Sequence, residues 1–186
     1  MKDLYRGSLV RLSASSPEEL ARHFARWNQD TEFHRLADDR PARLLSEKKI
    51  KENVEREQFS KDPRAYRFSI CTLAEEKFIG VVGLVPEWAH GDGWLFIFIG
   101  DRDYWSKGYG TDAMRLIVQF GFLELNLRRI TLALNSYNTR ALKTYQKVGF
   151  VVEGVQRSDG QREGVRYDGI YMGLLREEWL AQQEAK

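Results

Sequence analysis

Apolar and polar positions along the chain change period several times, and each change marks an element. Residues 8–12 read as a short strand. Ser16-Pro17-Glu18-Glu19 follows, a capping-box start with proline at the first helical position, and Leu20, Phe24 and Trp27 then recur at spacings of four and three. This pattern predicts one apolar face of an amphipathic helix. Residues 28–45 are mixed in charge and without period, with Pro41 as punctuation, and read as irregular. Ser46-Glu47-Lys48-Lys49 opens a second helix carrying only Ile50 and Val54 as its apolar stripe. So thin a stripe predicts a helix on the surface, flanking a cleft.

From Tyr66 the period drops to two. Tyr66, Phe68, Ile70 and Thr72 alternate with Arg67, Ser69 and Cys71, the signature of a half-buried strand. A polar turn at 74–77 leads to a strand at 78–85, expected to end at Pro86. The turn cluster His90-Gly91-Asp92-Gly93 then leads to a nearly continuous apolar strand at 94–99. Short turns between these strands predict an antiparallel meander. A glycine-rich turn, a helix over about 108–124 and a buried strand at 129–134 give a strand–helix–strand crossover, and so one parallel pair. A helix at 138–148 is stopped by Gly149. Residues 151–157 and 164–174 form a closing hairpin around Ser158-Asp159-Gly160-Gln161, and 175–185 a terminal helix. With no internal repeat and no linker, the expectation is one α/β domain over residues 1–186, built on a mixed, mostly antiparallel sheet.

Composition narrows the function classes. A formal charge of +2 over 186 residues carries no general polyanion signal, so nucleic acid is not expected as a partner. A lone cysteine, Cys71, forms neither an intrachain disulfide nor a paired-cysteine zinc site, and the three histidines match no metal-ligand spacing, so no metal is expected. The longest apolar run, at 94–99, is far shorter than a membrane span, and the charged N-terminus does not resemble a signal peptide. These features read as a soluble cytoplasmic protein without a membrane partner.

Two strings carry chemistry. Trp105-Ser106-Lys107-Gly108-Tyr109-Gly110-Thr111 lies between a buried strand and an amphipathic helix. Glycines there permit close backbone approach, and the free N–H groups of a helix N-terminus favour an anion such as a pyrophosphate. Gly108-x-Gly110-x-x-Ala113 formally matches a dinucleotide fingerprint, but the following strand ends in Leu134-Asn135 without the expected acid and hairpins surround the unit. No P-loop string exists. A turn that merely closes a strand–helix connection is the alternative. In the second string, Asn138 to Phe150, helical geometry lines up Asn138, Ala141, Tyr145 and Val148 on one face. Taken alone, this helix is better explained by Asn138 as an N-cap and Tyr145 as a packing aromatic.

Together, some thirty residues apart on successive strand–helix units, the two strings resemble the Gcn5-related N-acetyltransferases. Trp105 to Ala113 is similar to that family's acetyl-CoA pyrophosphate loop, usually Gln/Arg-x-x-Gly-x-Gly/Ala, and Asn138…Tyr145…Lys147-Val148-Gly149-Phe150 to its second cofactor helix. The tail Val152-Glu153-Gly154…Arg166-Tyr167-Asp168…Met172…Leu175, with the early Arg26-Trp27-Asn28-Gln29-Asp30, resembles the branch of ribosomal-protein N-terminal and spermidine acetyltransferases.

The resemblance implies a sheet of about seven strands flanked by helices, with a splayed central parallel pair. It also implies acetyl transfer to a primary amine by direct attack in a ternary complex, the amine belonging to a small molecule, a polyamine or a peptide. A non-catalytic acyl-CoA sensor of the same fold is the alternative, and a homodimer is compatible with either. Backbone groups of Ser106, Lys107, Gly108, Tyr109, Gly110 and Thr111, with Trp105 beside them, would hold the pyrophosphate. Phe98, Ile99 and Gly100 would flank the pantetheine arm, with Asn138 and Lys147 contributing from the second helix. Tyr145 would serve as the acid toward the leaving thiolate, or stabilise it by hydrogen bonding, and Asn138 would assist. Two departures stand out: Trp105 replaces the usual Gln or Arg, and Trp94-Leu95-Phe96-Ile97-Phe98 lacks the strand glutamate that many members use to receive the amine's proton. Glu32, Trp88 and Asp168 are the residues considered for the acceptor side. Among the basic residues, Arg128, Arg129, Arg140, Lys143 and Lys147 form a modest cluster suited to CoA phosphates.

Overall fold

The computed structural model describes residues 3–38, 40–58 and 65–184. Its elements run β1 (Val10–Ser13), α1 (Pro17–Trp27), α2 (Thr31–Ala37), α3 (Glu47–Gln58), β2 (Tyr66–Thr72), β3 (Phe78–Glu87), β4 (Asp92–Ile99), a 3-10 turn at Arg102–Tyr104, α4 (Tyr109–Leu123), β5 (Arg129–Asn135), α5 (Thr139–Val148), β6 (Val151–Arg162), β7 (Val165–Leu175) and α6 (Arg176–Glu184). Among the described residues, seven strands form one sheet in the order β1-β2-β3-β4-β5-β7-β6. β4 and β5 run parallel and the remaining neighbours antiparallel.

Side-chain alternation along β4 shows how the sheet is covered. Leu95, Ile97 and Ile99 join the apolar cluster that contains Met114, Ile117 and Phe122 of α4, whereas Phe96 and Phe98 join the cluster containing Leu20 and Trp27 of α1 and Ile50 and Val54 of α3. Successive residues of a strand point to opposite faces, so helices cover both sides. Asp112 fastens α4 to the first strand: its buried carboxylate accepts the N–H groups of Leu9 at 2.7 Å and Val10 at 3.0 Å.

Five local expectations change. Residues 28–45 contain a helix, α2, which begins where Asp30 Oδ1 accepts the N–H groups of Glu32 and Phe33. Seven residues with one buried anchor, Phe33, are too few to set up a period. α3 packs its thin stripe against α1 and Lys51 bridges to Glu18 at 2.7 Å; it is α2, not α3, that flanks the cleft. β3 continues through Pro86, which pairs with Gly93. Among the described residues the β2 ladder stops at Leu84, and Pro86 is paired on the β4 side through Gly93.

The closing hairpin is longer than its turn signals suggest. Arg162 pairs with Val165, so the turn is Glu163-Gly164, both with positive φ as a type I′ turn requires. The Asp159-Gly160 pair, a familiar turn signal, instead sits in a bulge: Ser158 is left-handed and the register shifts between Gln156 and Gly160. Leu175 ends β7, α6 starts at Arg176, and Ala185 lies outside the described residues.

Candidate active site

The parallel pair at the centre of the sheet is short. β4 and β5 are matched only at Asp92↔Arg129, Gly93↔Ile130 and Trp94↔Thr131. Beyond these positions β5 stays with β7 and β4 with β3, so the two strands part and leave β4 from Leu95 to Ile99 without a partner strand on that side. Two cavities fill the opening. The first, of about 320 Å³, lies between α2, the end of β4, the turn before α4 and the face of α5. The second, of about 280 Å³, lies between β4, β5, α2 and the β6–β7 hairpin. They share Leu36, Ala37, Ile97, Phe98, Asn138 and Tyr145.

The turn before α4 has an unusual backbone. Ser106 (φ 59°) and Gly108 (φ 91°) are both left-handed, a geometry that gathers successive N–H groups into a concave nest. No side chain caps the first turn of the fifteen-residue α4, so its leading N–H groups stay available. Trp105, Ser106, Gly108, Gly110 and Thr111 line the first cavity. A Cβ on Gly110 would meet nothing closer than Ile99 Cγ1 at 3.8 Å, an ordinary contact, and its φ is not positive. The protein's own packing therefore does not require glycine there, and open space faces the cavity. Lys107 is exposed and Tyr109 packs its ring on Tyr104 at 5.0 Å, so these two present backbone rather than side chain.

Trp105 pins the turn to the strand, its indole N–H donating to the carbonyl of Ile99 at 2.7 Å. Arg140 of α5 lays its guanidinium 3.8 Å from the centre of the indole ring, and Arg102 lies 5.3 Å from it. Arg102 is occupied by Asp30 and Glu32. These residues fit the nucleotide end of a CoA molecule: a nest of N–H groups, a glycine the fold does not need, and cationic side chains.

On α5, Tyr145 lines both cavities and makes no hydrogen bond among the described residues. Burial pushes its phenol up to about 12. Asn138 is buried and its amide is already engaged. Oδ1 caps the helix by accepting the Ala141 N–H at 3.2 Å, and Nδ2 donates to the Leu36 carbonyl at 3.3 Å. Phe98, Ile99 and Lys147 line the first cavity. Gly100 does not. It is buried beneath Trp27, whose indole a Cβ would strike at 1.9 Å.

The acceptor-side residues are not brought together. Trp88, 60% exposed, meets Tyr66 at the far end of the β3–β4 hairpin. Asp168 accepts the Ser158 N–H at 2.8 Å and steadies the β6 bulge. Glu32 points to Arg102 at 2.7 Å, outside both cavities. The carboxylates that do line the second cavity are Asp38 and Asp159, beside Trp94, Phe96 and Tyr171. Arg40 holds Asp38 in a bidentate pair and keeps its carboxyl below the usual range. Asp159 reaches the cavity because the bulge turns it there, a placement that no periodic pattern announces. Arg140 did carry a signal, lying one turn before Thr144 and two before Lys147 on α5; all three line the first cavity.

A family model for the acetyltransferase (GNAT) domain matches residues 10–151. The chain belongs to the GNAT acetyltransferase family. It is 29% identical over 121 residues to the uncharacterized N-acetyltransferase p20 of Bacillus licheniformis, covering 64% of this chain and 67% of that protein. It is 32% identical over 89 residues to the spermidine N(1)-acetyltransferase of Escherichia coli K12, covering 48% of each. The GNAT fold is matched by the spermidine N-acetyltransferase of Vibrio cholerae in complex with CoA and spermine, with a TM-score of 0.80 at 21% identity, covering 92% of this chain and 98% of that one. Like its relatives in the family, the protein is an N-acetyltransferase.

Proposed function

We propose that this GNAT enzyme transfers the acetyl group of acetyl-CoA to the primary amine of a small cationic acceptor. The observation that carries this reading is the pair of cavities meeting where β4 and β5 part, with Tyr145 lining both. The first has the features of a CoA site. The second combines aromatic rings with two carboxylates, a lining suited to an aliphatic ammonium. The V. cholerae neighbour, a spermidine N-acetyltransferase in complex with CoA and spermine, supports that division.

In the step itself, the neutral amine attacks the thioester carbonyl carbon. A C–N bond forms, the C–S bond breaks, the new ammonium loses its proton to water in the acceptor cavity, and the thiolate gains one from water. A phenol at about 12 lies well above a thiol at ~8.5, so full proton transfer from Tyr145 to the thiolate is uphill. The raised value favours Tyr145 as a neutral hydrogen-bond donor to the developing thiolate over full transfer of its proton. With Leu95 and its neighbours supplying no acid on β4, Asp159 anchors the acceptor's charge.

The test is free-thiol release from acetyl-CoA against spermidine, spermine, a monoamine and a short peptide. Turnover with the polycations, and a rise in amine KM of about tenfold for Asp159→Asn without change in acetyl-CoA KM, is the expected result. Turnover confined to the monoamine or the peptide would overturn the polycationic acceptor.

A further inference from the structure

The two carboxylates that line the second cavity differ in what holds them. Asp159 makes no ion pair among the described residues, and its Oδ1 accepts only the neutral amide of Gln156, at 2.7 Å. Asp38 is already matched by a cation. Arg40 Nε lies 3.0 Å from both carboxylate oxygens, and Nη2 lies 2.6 Å from Oδ2. The Arg40 side chain is 83% exposed against 34% for Asp38, and Arg40 is not part of the cavity wall. The guanidinium therefore sits on the solvent side of the pair.

The backbone at this point is held independently of that ion pair. Arg162 of β6 reaches across to it, Nη2 donating to the Asp38 carbonyl at 3.0 Å and to the Arg40 carbonyl at 3.4 Å. Arg35 of α2 pairs with Glu163 of the hairpin turn at 2.8 Å. The backbone N–H of Arg40 also donates to Asp38 Oδ1 at 2.8 Å, a bond that any side chain at this position retains. These contacts clip the end of α2 to the β6–β7 hairpin, so Asp38 keeps its place when the Arg40 side chain swings away. An ion pair so exposed contributes little by itself, and a ligand cation can replace the guanidinium. Charge count decides which ligand needs to. The attacking nitrogen must be neutral, so a diamine brings one ammonium into the cavity and spermidine brings two. Asp159 meets the first; the second requires Asp38.

We propose that Arg40 is a specificity-determining residue: it occupies Asp38, leaves Asp159 as the uncompensated carboxylate of the two, and must be displaced by an acceptor with a second ammonium. Removing the guanidinium shifts preference toward acceptors of higher charge. This inference rests on the reading of the second cavity as the acceptor site.

Steady-state kinetics with putrescine and spermidine test it on wild type, Arg40→Gln, Arg40→Lys, Asp38→Asn and the Arg40→Gln/Asp38→Asn double variant, with thermal melting as the control for folding. For Arg40→Gln, the spermidine KM should fall about two- to fivefold, the range that an exposed ion pair can withhold. The KM values for putrescine and acetyl-CoA should not change. Arg40→Lys keeps a cation able to pair and should stay near wild type. The gain should vanish in the Asp38→Asn background, where the guanidinium has no carboxylate to release. An unchanged spermidine KM in a folded Arg40→Gln variant overturns the inference. So does an equal fall for putrescine, or a fall that persists without the Asp38 carboxylate, since either is a general charge effect at the cavity mouth. Asp159→Asn separates this failure from that of the acceptor site. Raised amine KM values in Asp159→Asn, with none of the Arg40 effects, remove this inference alone; unmoved amine KM values there overturn the acceptor cavity and the inference together.

Discussion

The side-chain amide of Asn138 donates to the carbonyl of Leu36 at 3.3 Å, tying α2 to the start of α5 across the cleft. The same side chain caps α5 through the Ala141 N–H. Both cavities take Leu36, Ala37 and Asn138 as part of their wall. Asn138 is thus a positioning residue.

Asn138→Ala should lower stability by about 1–2 kcal/mol, the sum of a lost cap and one lost hydrogen bond. Asn138→Asp keeps the capping oxygen but sets a second oxygen against the Leu36 carbonyl in place of the donor. It should keep α5 capped yet share a raised amine KM with the alanine variant. Denaturant unfolding and steady-state kinetics on both variants separate the two roles; a kcat loss with unchanged KM in both would show that the tie to α2 is not what matters.

Gly110→Val should leave the fold intact, since the first side-chain atom meets only Ile99 Cγ1 at 3.8 Å. The branched side chain would occupy the space beside the N–H nest and remove CoA binding. A melting temperature near that of wild type, combined with no thermal shift on adding acetyl-CoA, is the expected pair of readings. Normal CoA affinity in the folded variant would reduce the glycine to a feature of the turn.

For Tyr145→Phe, the hydroxyl has no hydrogen bond to lose among the described residues, so stability should change by less than about 1 kcal/mol. The kcat should fall by ~10²-fold while acetyl-CoA affinity stays within a few fold, as for a donor that acts mainly in the transition state. The neutral phenol is the donating form, and burial holds it to about 12, so Tyr145 should contribute no descending limb to the kcat profile below about pH 11. The sign for stability follows: the folded value lies above the ordinary ~10, so stability is complete below pH ~10 and is lost as pH rises toward about 12. Melting curves over that interval should be flatter for the phenylalanine variant.

Acid conditions probe the link between α2 and the turn before α4. Arg102 holds the Asp30 carboxyl down to about 2, so its contribution is present above the ordinary ~3.8 and is lost as pH falls toward about 2. Asp30→Asn retains an oxygen able to cap α2 and removes the charge. Between pH 4 and pH 2 the wild-type melting temperature should fall more steeply than that of the variant. The effect should be small, because Arg102 is largely exposed. Parallel curves would show that the pair adds nothing to stability.

Local rules were enough for most elements and for the two motif strings. The strand from Tyr66, the Ser16 N-cap and the glycine stop at Gly149 depend on neighbours only a few residues away, and the structure has all three. β2 is, however, buried on both faces from Ser69 to Thr72, where alternation predicted a half-buried strand. The glycine turn before α4 and the Asn138–Tyr145 face were legible as local structure for the same reason: each is a short segment whose geometry lies in its own backbone and side chains. What tertiary structure decided was which segments meet. Whether Trp88 or Trp94 reaches the cleft depends on where β4 leaves β5, and that divergence places Trp94 on the second cavity and Trp88 far from it. Asp159 enters the acceptor side through a bulge whose register shift is set by pairing with β7, and Arg140 finds Trp105 across more than thirty residues of chain. Such contacts join side chains distant in sequence, so they are fixed by the packing of whole elements rather than by any local periodicity or turn signal.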